Sequence, residues 1–92
     1  MVERGPELPL QILMPIPLKI LTPEWHKSLE VDAVFLPGSL GEFEVLPGHA
    51  PIISTLTAGK VKWRIAGSTE TLDIKGGAAR LQRGSLEVCA EI

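Results

Sequence analysis

The sequence predicts an all-β fold, an antiparallel β-sandwich or flattened barrel of short strands, and three observations carry that reading. From Leu18 onward apolar side chains recur with a period of two, the pattern of strands with one face buried and one face wet. Turn-forming pairs, Ala58-Gly59, Gly67-Ser68, Gly76-Gly77 and Arg83-Gly84, separate the runs at hairpin intervals. No segment sustains helical spacing behind a capping residue.

The first stretch, residues 1–17, reads as an N-terminal extension or edge strand, with the domain itself spanning 18–92. Leu8 to Leu21 is the most hydrophobic run, but Pro9, Pro15 and Pro17 interrupt it. A membrane-spanning helix needs about 20 apolar residues with intact backbone pairing, and this run has neither. Glu3 and Glu7 at the front, and no small-x-small cleavage site, argue against a signal peptide.

Leu18 and Ile20 then lead to a turn at Thr22-Pro23. Leu29, Val31, Ala33 and Phe35 alternate with Glu30, Asp32, Val34 and Leu36 and read as one strand. Val61, Trp63 and Ile65 against Lys60, Lys62 and Arg64 form the cleanest alternation. Leu72 and Ile74 repeat it, as do Leu86 and Val88, which puts Cys89 on an outward face as a small, passive side chain. Gly76-Gly77 has no helix after it, so it reads as a bulge or a close backbone approach and not as a phosphate loop.

Composition bounds the function. Ninety-two residues suit one domain. Apolar residues make up 45% and aromatic residues only 4%, so the core is built from Val, Ile, Leu and Ala. A net charge of -2 with scattered Lys and Arg leaves no electrostatic footprint for nucleic acid or an anionic membrane. One cysteine precludes an intrachain disulfide and suits a reducing compartment.

The chain is organised around Pro37 to Pro51, PGSLGEFEVLPGHAP. Three glycines (Gly38, Gly41, Gly48) and three prolines (Pro37, Pro47, Pro51) bracket one short apolar run, Phe43 to Leu46. Each marks a place where the backbone must turn or stiffen, so the stretch reads as loop, short strand and sharp turn. It is either a recognition surface or a tight connection needed for folding. His49 is presented from the stiff Pro47-Gly48 turn; Glu42 and Glu44 are its nearest acids in sequence. With two histidines far apart and one cysteine, a metal site is not expected. No nucleophile triad, P-loop or dinucleotide fingerprint is present, and no cofactor is expected.

LKILTPE at Leu18 to Glu24, PGSLGEFEVLPGHAPIISTLTAG at Pro37 to Gly59 and IKGGAARLQRGSLEVCAE at Ile74 to Glu91 together resemble the N-terminal β-sandwich domain of the epsilon subunit of F-type ATP synthases, called delta in mitochondria. The resemblance implies a non-catalytic rotor subunit at the foot of the central stalk. Such a subunit binds the gamma subunit, rests on the ring of membrane c subunits and helps couple ion flow to ATP synthesis. By position, Ser39, Leu40, Gly41 and Glu42 would face the c-ring and His49 would face gamma. Val34 and Leu36, opposite the face of Leu29 to Phe35, are either an apolar outer sheet face for gamma or the second face of a fully covered strand. The implied location is peripheral, on the cytoplasmic face of a bacterial inner membrane, without direct lipid insertion. Family members often continue into a C-terminal helical hairpin; here the sequence ends at Ile92 after the last strand, so the expectation omits that hairpin, inhibition by it and nucleotide binding. The alternatives are a free-standing module binding a peptide or small ligand through the loop at 38–51, and an enzyme using His49 with Glu42 or Glu44.

Overall fold

A computed structural model describes residues 14–92. The reading of residues 1–17 as an N-terminal extension or edge strand falls mostly outside them, with Ile16 and Pro17 already inside the sheet. Nine strands follow in chain order: β1 (Ile16–Leu21), β2 (His26–Val31), β3 (Ala33–Gly38), β4 (Gly41–Val45), β5 (Ile52–Leu56), β6 (Gly59–Ile65), β7 (Ser68–Ile74), β8 (Gly76–Gln82) and β9 (Ser85–Glu91). Among the described residues there is no helix.

The strands join in the order β2-β1-β9-β8-β5-β3-β6-β7, with β4 on the other edge of β3. All pairs are antiparallel except β1 with β9. β1 is therefore an interior strand. β5 touches the ladder of β3 only at Gly38↔Leu56, so the sheet divides there into two layers, β2-β1-β9-β8-β5 and β4-β3-β6-β7.

Two corners carry the chain between the layers. Thr57-Ala58 lies between β5 and β6, and Asp32 lies between β2 and β3. The second corner divides what reads in sequence as one strand from Leu29 to Leu36. Inward positions are odd up to Ala33 and even afterwards, at Val34 and Leu36. Asp32 holds the corner: its N–H donates to the Arg64 carbonyl at 2.8 Å, and its Oδ2 accepts from the Ala66 N–H at 2.9 Å. That carboxylate ties the corner to the β6–β7 turn, where Ala66 and Gly67 both adopt positive φ, the backbone of a tight hairpin.

The buried side chains come from both layers: Ile16, Leu18 and Ile20 of β1, Leu86 and Val88 of β9, Val34 and Leu36 of β3, Val45 of β4, Val61 and Trp63 of β6. Trp63 keeps its polar end satisfied by donating from Nε1 to Glu70 at 3.1 Å. Of the two readings of Val34 and Leu36, the outer apolar face for gamma is corrected here and the covered strand is the one observed. Both are 0% exposed, because the change of phase at Asp32 turns them into the core. The outward side chain of β3 is Phe35, half-buried, with the Arg64 guanidinium 5.9 Å above its ring.

The paired glycines of β8 play different parts. Gly77 has φ +152°, and a Cβ on it would overlap the Cys89 carbonyl oxygen of β9. A Cβ on Gly76 would meet only ordinary contacts, at 3.6 Å or more. The close backbone approach expected of the pair belongs to Gly77 alone.

Candidate contact surface

The Pro37 to Pro51 stretch folds as a hairpin and a turn. Pro37 and Gly38 end β3, Ser39 and Leu40 form the turn, and Gly41 and Glu42 begin β4. Neither Ser39 nor Leu40 adopts positive φ; Gly41, at φ +131°, absorbs the twist instead. Gly38 is small because the Phe43 ring lies across it, where a Cβ would come within 2.8 Å of the ring. Phe43 in turn packs against the core.

This geometry places the four residues assigned by resemblance to the c-ring differently from one another. Leu40 projects fully into solvent, at 104% relative exposure. The Ser39 hydroxyl is turned back onto β5, 2.6 Å from Thr55 Oγ1 and 3.2 Å from the Thr55 carbonyl oxygen. Glu42 is on a strand, opposite Pro37, and its carboxylate stands 3.7 Å from Lys62 Nζ on β6. At that length, with both groups solvated, the pair contributes at most about 1 kcal/mol.

His49 follows β4 in a turn closed by its own N–H donating to the Leu46 carbonyl at 3.1 Å. Gly48 supplies the positive φ, +85°. The His49 Nδ1 is 2.7 Å from the Ala50 carbonyl oxygen, and neither Glu42 nor Glu44 bonds to the ring among the described residues. The arrangement holds no acid–base pair of the kind a His49 enzyme would need.

The hairpin and the histidine turn nevertheless meet. Ser39, Leu40, Glu42, Phe43 and His49 line one shallow depression, whose far side is β5. β5 adds Ile53, 82% exposed, which the sequence reading did not single out. Its signal was present: Ile52 and Ile53 are successive in a strand, and successive strand residues point to opposite faces. Ile52 packs toward the core, so Ile53 points out. The residues that resemblance divides between two partners thus form one continuous surface with an apolar rim at Leu40 and Ile53.

Among the described residues no three His, Cys, Asp or Glu side chains gather as a metal site. Nor is any helix there long and apolar enough to cross a membrane. Cys89 is exposed on β9, as its alternation predicts.

Residues 15–92 match the family described as ATP synthase, Delta/Epsilon chain, beta-sandwich domain. The ATP synthase epsilon chain of Caulobacter vibrioides is 44% identical over 64 residues, covering 70% of this chain and 74% of that one. The epsilon chain of Aliarcobacter butzleri is 39% identical over 77 residues, covering 83% of this chain and 62% of its own. The fold is similar to a chain in the cryo-EM structure of the Euglena gracilis mitochondrial ATP synthase OSCP/F1/c-ring assembly, with TM-score 0.79 and 24% identity over 86% of this chain and 52% of that one. It is also similar to a chain of the Tetrahymena thermophila mitochondrial ATP synthase central stalk and c-ring, with TM-score 0.72 and 11% identity over 83% and 63%. At those identities the structural likeness speaks for the fold alone, whereas the family match rests on sequence. The chain belongs to the ATP synthase delta/epsilon family, through the β-sandwich domain that residues 15–92 form.

Proposed function

We infer that the chain is a non-catalytic central-stalk subunit of an F-type ATP synthase, turning with the rotor and helping couple transmembrane ion flow to ATP synthesis. Its partners on this reading are the gamma subunit and the c-ring, and its place is at the periphery of the membrane, held there by the complex. For a bacterial enzyme that is the cytoplasmic face of the inner membrane. The observation that carries the reading is the surface on which the hairpin tip at Leu40, the His49 turn and Ile53 converge, in a domain whose sequence is that of the delta/epsilon family.

Physical chemistry supports the same role. A part that transmits torque needs a stiff contact surface, and here a two-residue turn and a proline-flanked turn replace long loops with low conformational freedom. Ser39, Leu40, Gly41 and Glu42 are offered to the c-ring and His49 to gamma. Affinity comes from exposed apolar side chains, Leu40 and Ile53, with the charge of Glu42 serving orientation. Val34 and Leu36 act from the core, by holding β3 in place.

A pull-down with the cognate gamma subunit and c-ring, comparing the parent chain with His49→Ala and Leu40→Ala, tests the reading. Retention of the parent and its loss in the variants is the expected result. A parent chain that binds neither partner, but captures a peptide or small molecule through residues 38–51, would refute it in favour of a free-standing binding module.

A further inference from the structure

The tip of the β3–β4 hairpin is fastened to β5 from one residue. Ser39 N–H donates to the Thr55 carbonyl at 3.1 Å. The Ser39 hydroxyl donates to the same carbonyl at 3.2 Å, leaving its oxygen to accept from Thr55 Oγ1 at 2.6 Å. Immediately behind the tip, Thr57 N–H donates to the Pro37 carbonyl at 2.8 Å. Leu40, next to Ser39, is fully exposed, so its pose is inherited from the bonds that hold Ser39. Thr55 and Ile53 are two apart on β5, both exposed, and therefore share its outer face.

We propose that Thr55 is a positioning residue for the contact with the c-ring. Its hydroxyl latches Ser39 so that Leu40 and Ile53 stand at a set separation before the partner arrives. The proposal rests on the rotor reading above and adds to it a residue whose part is to hold Ser39 in place. Holding the backbone of the hairpin tip in its bound geometry lowers the ordering cost of association; without the latch, more of that ordering falls at the moment of contact.

The bond count predicts an order of effects. Thr55→Val removes the bond between hydroxyls alone. Ser39→Ala removes both bonds of the serine hydroxyl and leaves the backbone bond. The double variant has nothing further to lose beyond Ser39→Ala. Thr55→Ser keeps the hydroxyl.

The test titrates the full chain and these four variants against the purified gamma–c-ring complex and against gamma alone, with thermal melts of each variant. Thr55→Val is expected to weaken binding to the ring-containing complex by about two- to tenfold, the range of one hydrogen bond. Ser39→Ala should lose at least as much, the double variant no more than Ser39→Ala, and Thr55→Ser should match the parent. Affinity for gamma alone should not change, a split that general destabilisation would not produce. Parent-like binding by Thr55→Val, or additive losses in the double variant, would overturn the latch while leaving the rotor reading intact. A parent chain that ignores the ring-containing complex would remove the rotor reading and the latch together.

Discussion

Replacing Gly77 by alanine should damage the fold far more than the same change one residue earlier. Gly77 stands at φ +152°, and a Cβ there would overlap the Cys89 carbonyl oxygen, a backbone atom that cannot move aside without opening the β8–β9 ladder. Strain of this kind costs about 1–3 kcal/mol, and each ladder bond given up to relieve it costs about 1 kcal/mol more. Gly77 pairs with Ala90 on one side and Leu56 on the other, so both neighbouring strands feel the shift. The expected loss is about 3–5 kcal/mol, against a total of about 5–10 kcal/mol for a domain of this size. Gly76→Ala is the matched control: the added methyl meets nothing closer than 3.6 Å, and it removes freedom from the unfolded chain. In urea unfolding, with a slope near 1 kcal/mol per M, Gly77→Ala should lower the midpoint by about 3 M or abolish folding. Gly76→Ala should leave the midpoint within about 1 M. Equal shifts for the two variants would refute the close-approach argument.

Two further substitutions test the parts of the fold that sequence alone misplaces. Asp32→Ala removes the carboxylate that accepts from the Ala66 N–H and should cost about 1–2 kcal/mol, read as a lower urea midpoint at unchanged slope. Leu36→Ala opens a cavity at a fully buried position and should cost about 2–5 kcal/mol; at a temperature where the variant is still folded, its affinity for gamma should equal the parent's, because the side chain never reaches the surface.

Strand content was legible because period-two alternation and glycine-marked turns are local signals. Lys60 to Arg64 and Leu86 to Ala90 alternate in the structure as they do in the sequence, whereas Ile65, at the end of β6, is exposed. What could not be read locally is where the alternation slips. Nothing in EVDAVFL announces that Asp32 is a corner; its reason is the Ala66 N–H, 34 residues away, and the slip carries Val34 and Leu36 from the outer face into the core. The turn before β7 is centred on Ala66-Gly67, one residue earlier than Gly67-Ser68 suggests. Proline likewise misleads at the start of the chain: Pro17 is accommodated in β1, and the parallel pairing of β1 with β9, a contact across most of the chain, makes that strand interior. The candidate surface was half legible. The glycines and prolines of Pro37 to Pro51 mark a specified turn, but its meeting with Ile53 and Thr55 of β5 depends on the layer-to-layer crossing at Thr57-Ala58.

The most direct test of the rotor reading is to add the full chain to an F-type ATP synthase complex stripped of its own delta or epsilon chain and to ask what it sediments with. The chain should travel with the gamma-containing, c-ring-bearing complex in a fixed ratio, and Leu40→Ala should weaken this association without unfolding the chain. A parent chain that stays at the top of the gradient while folded would contradict the rotor reading.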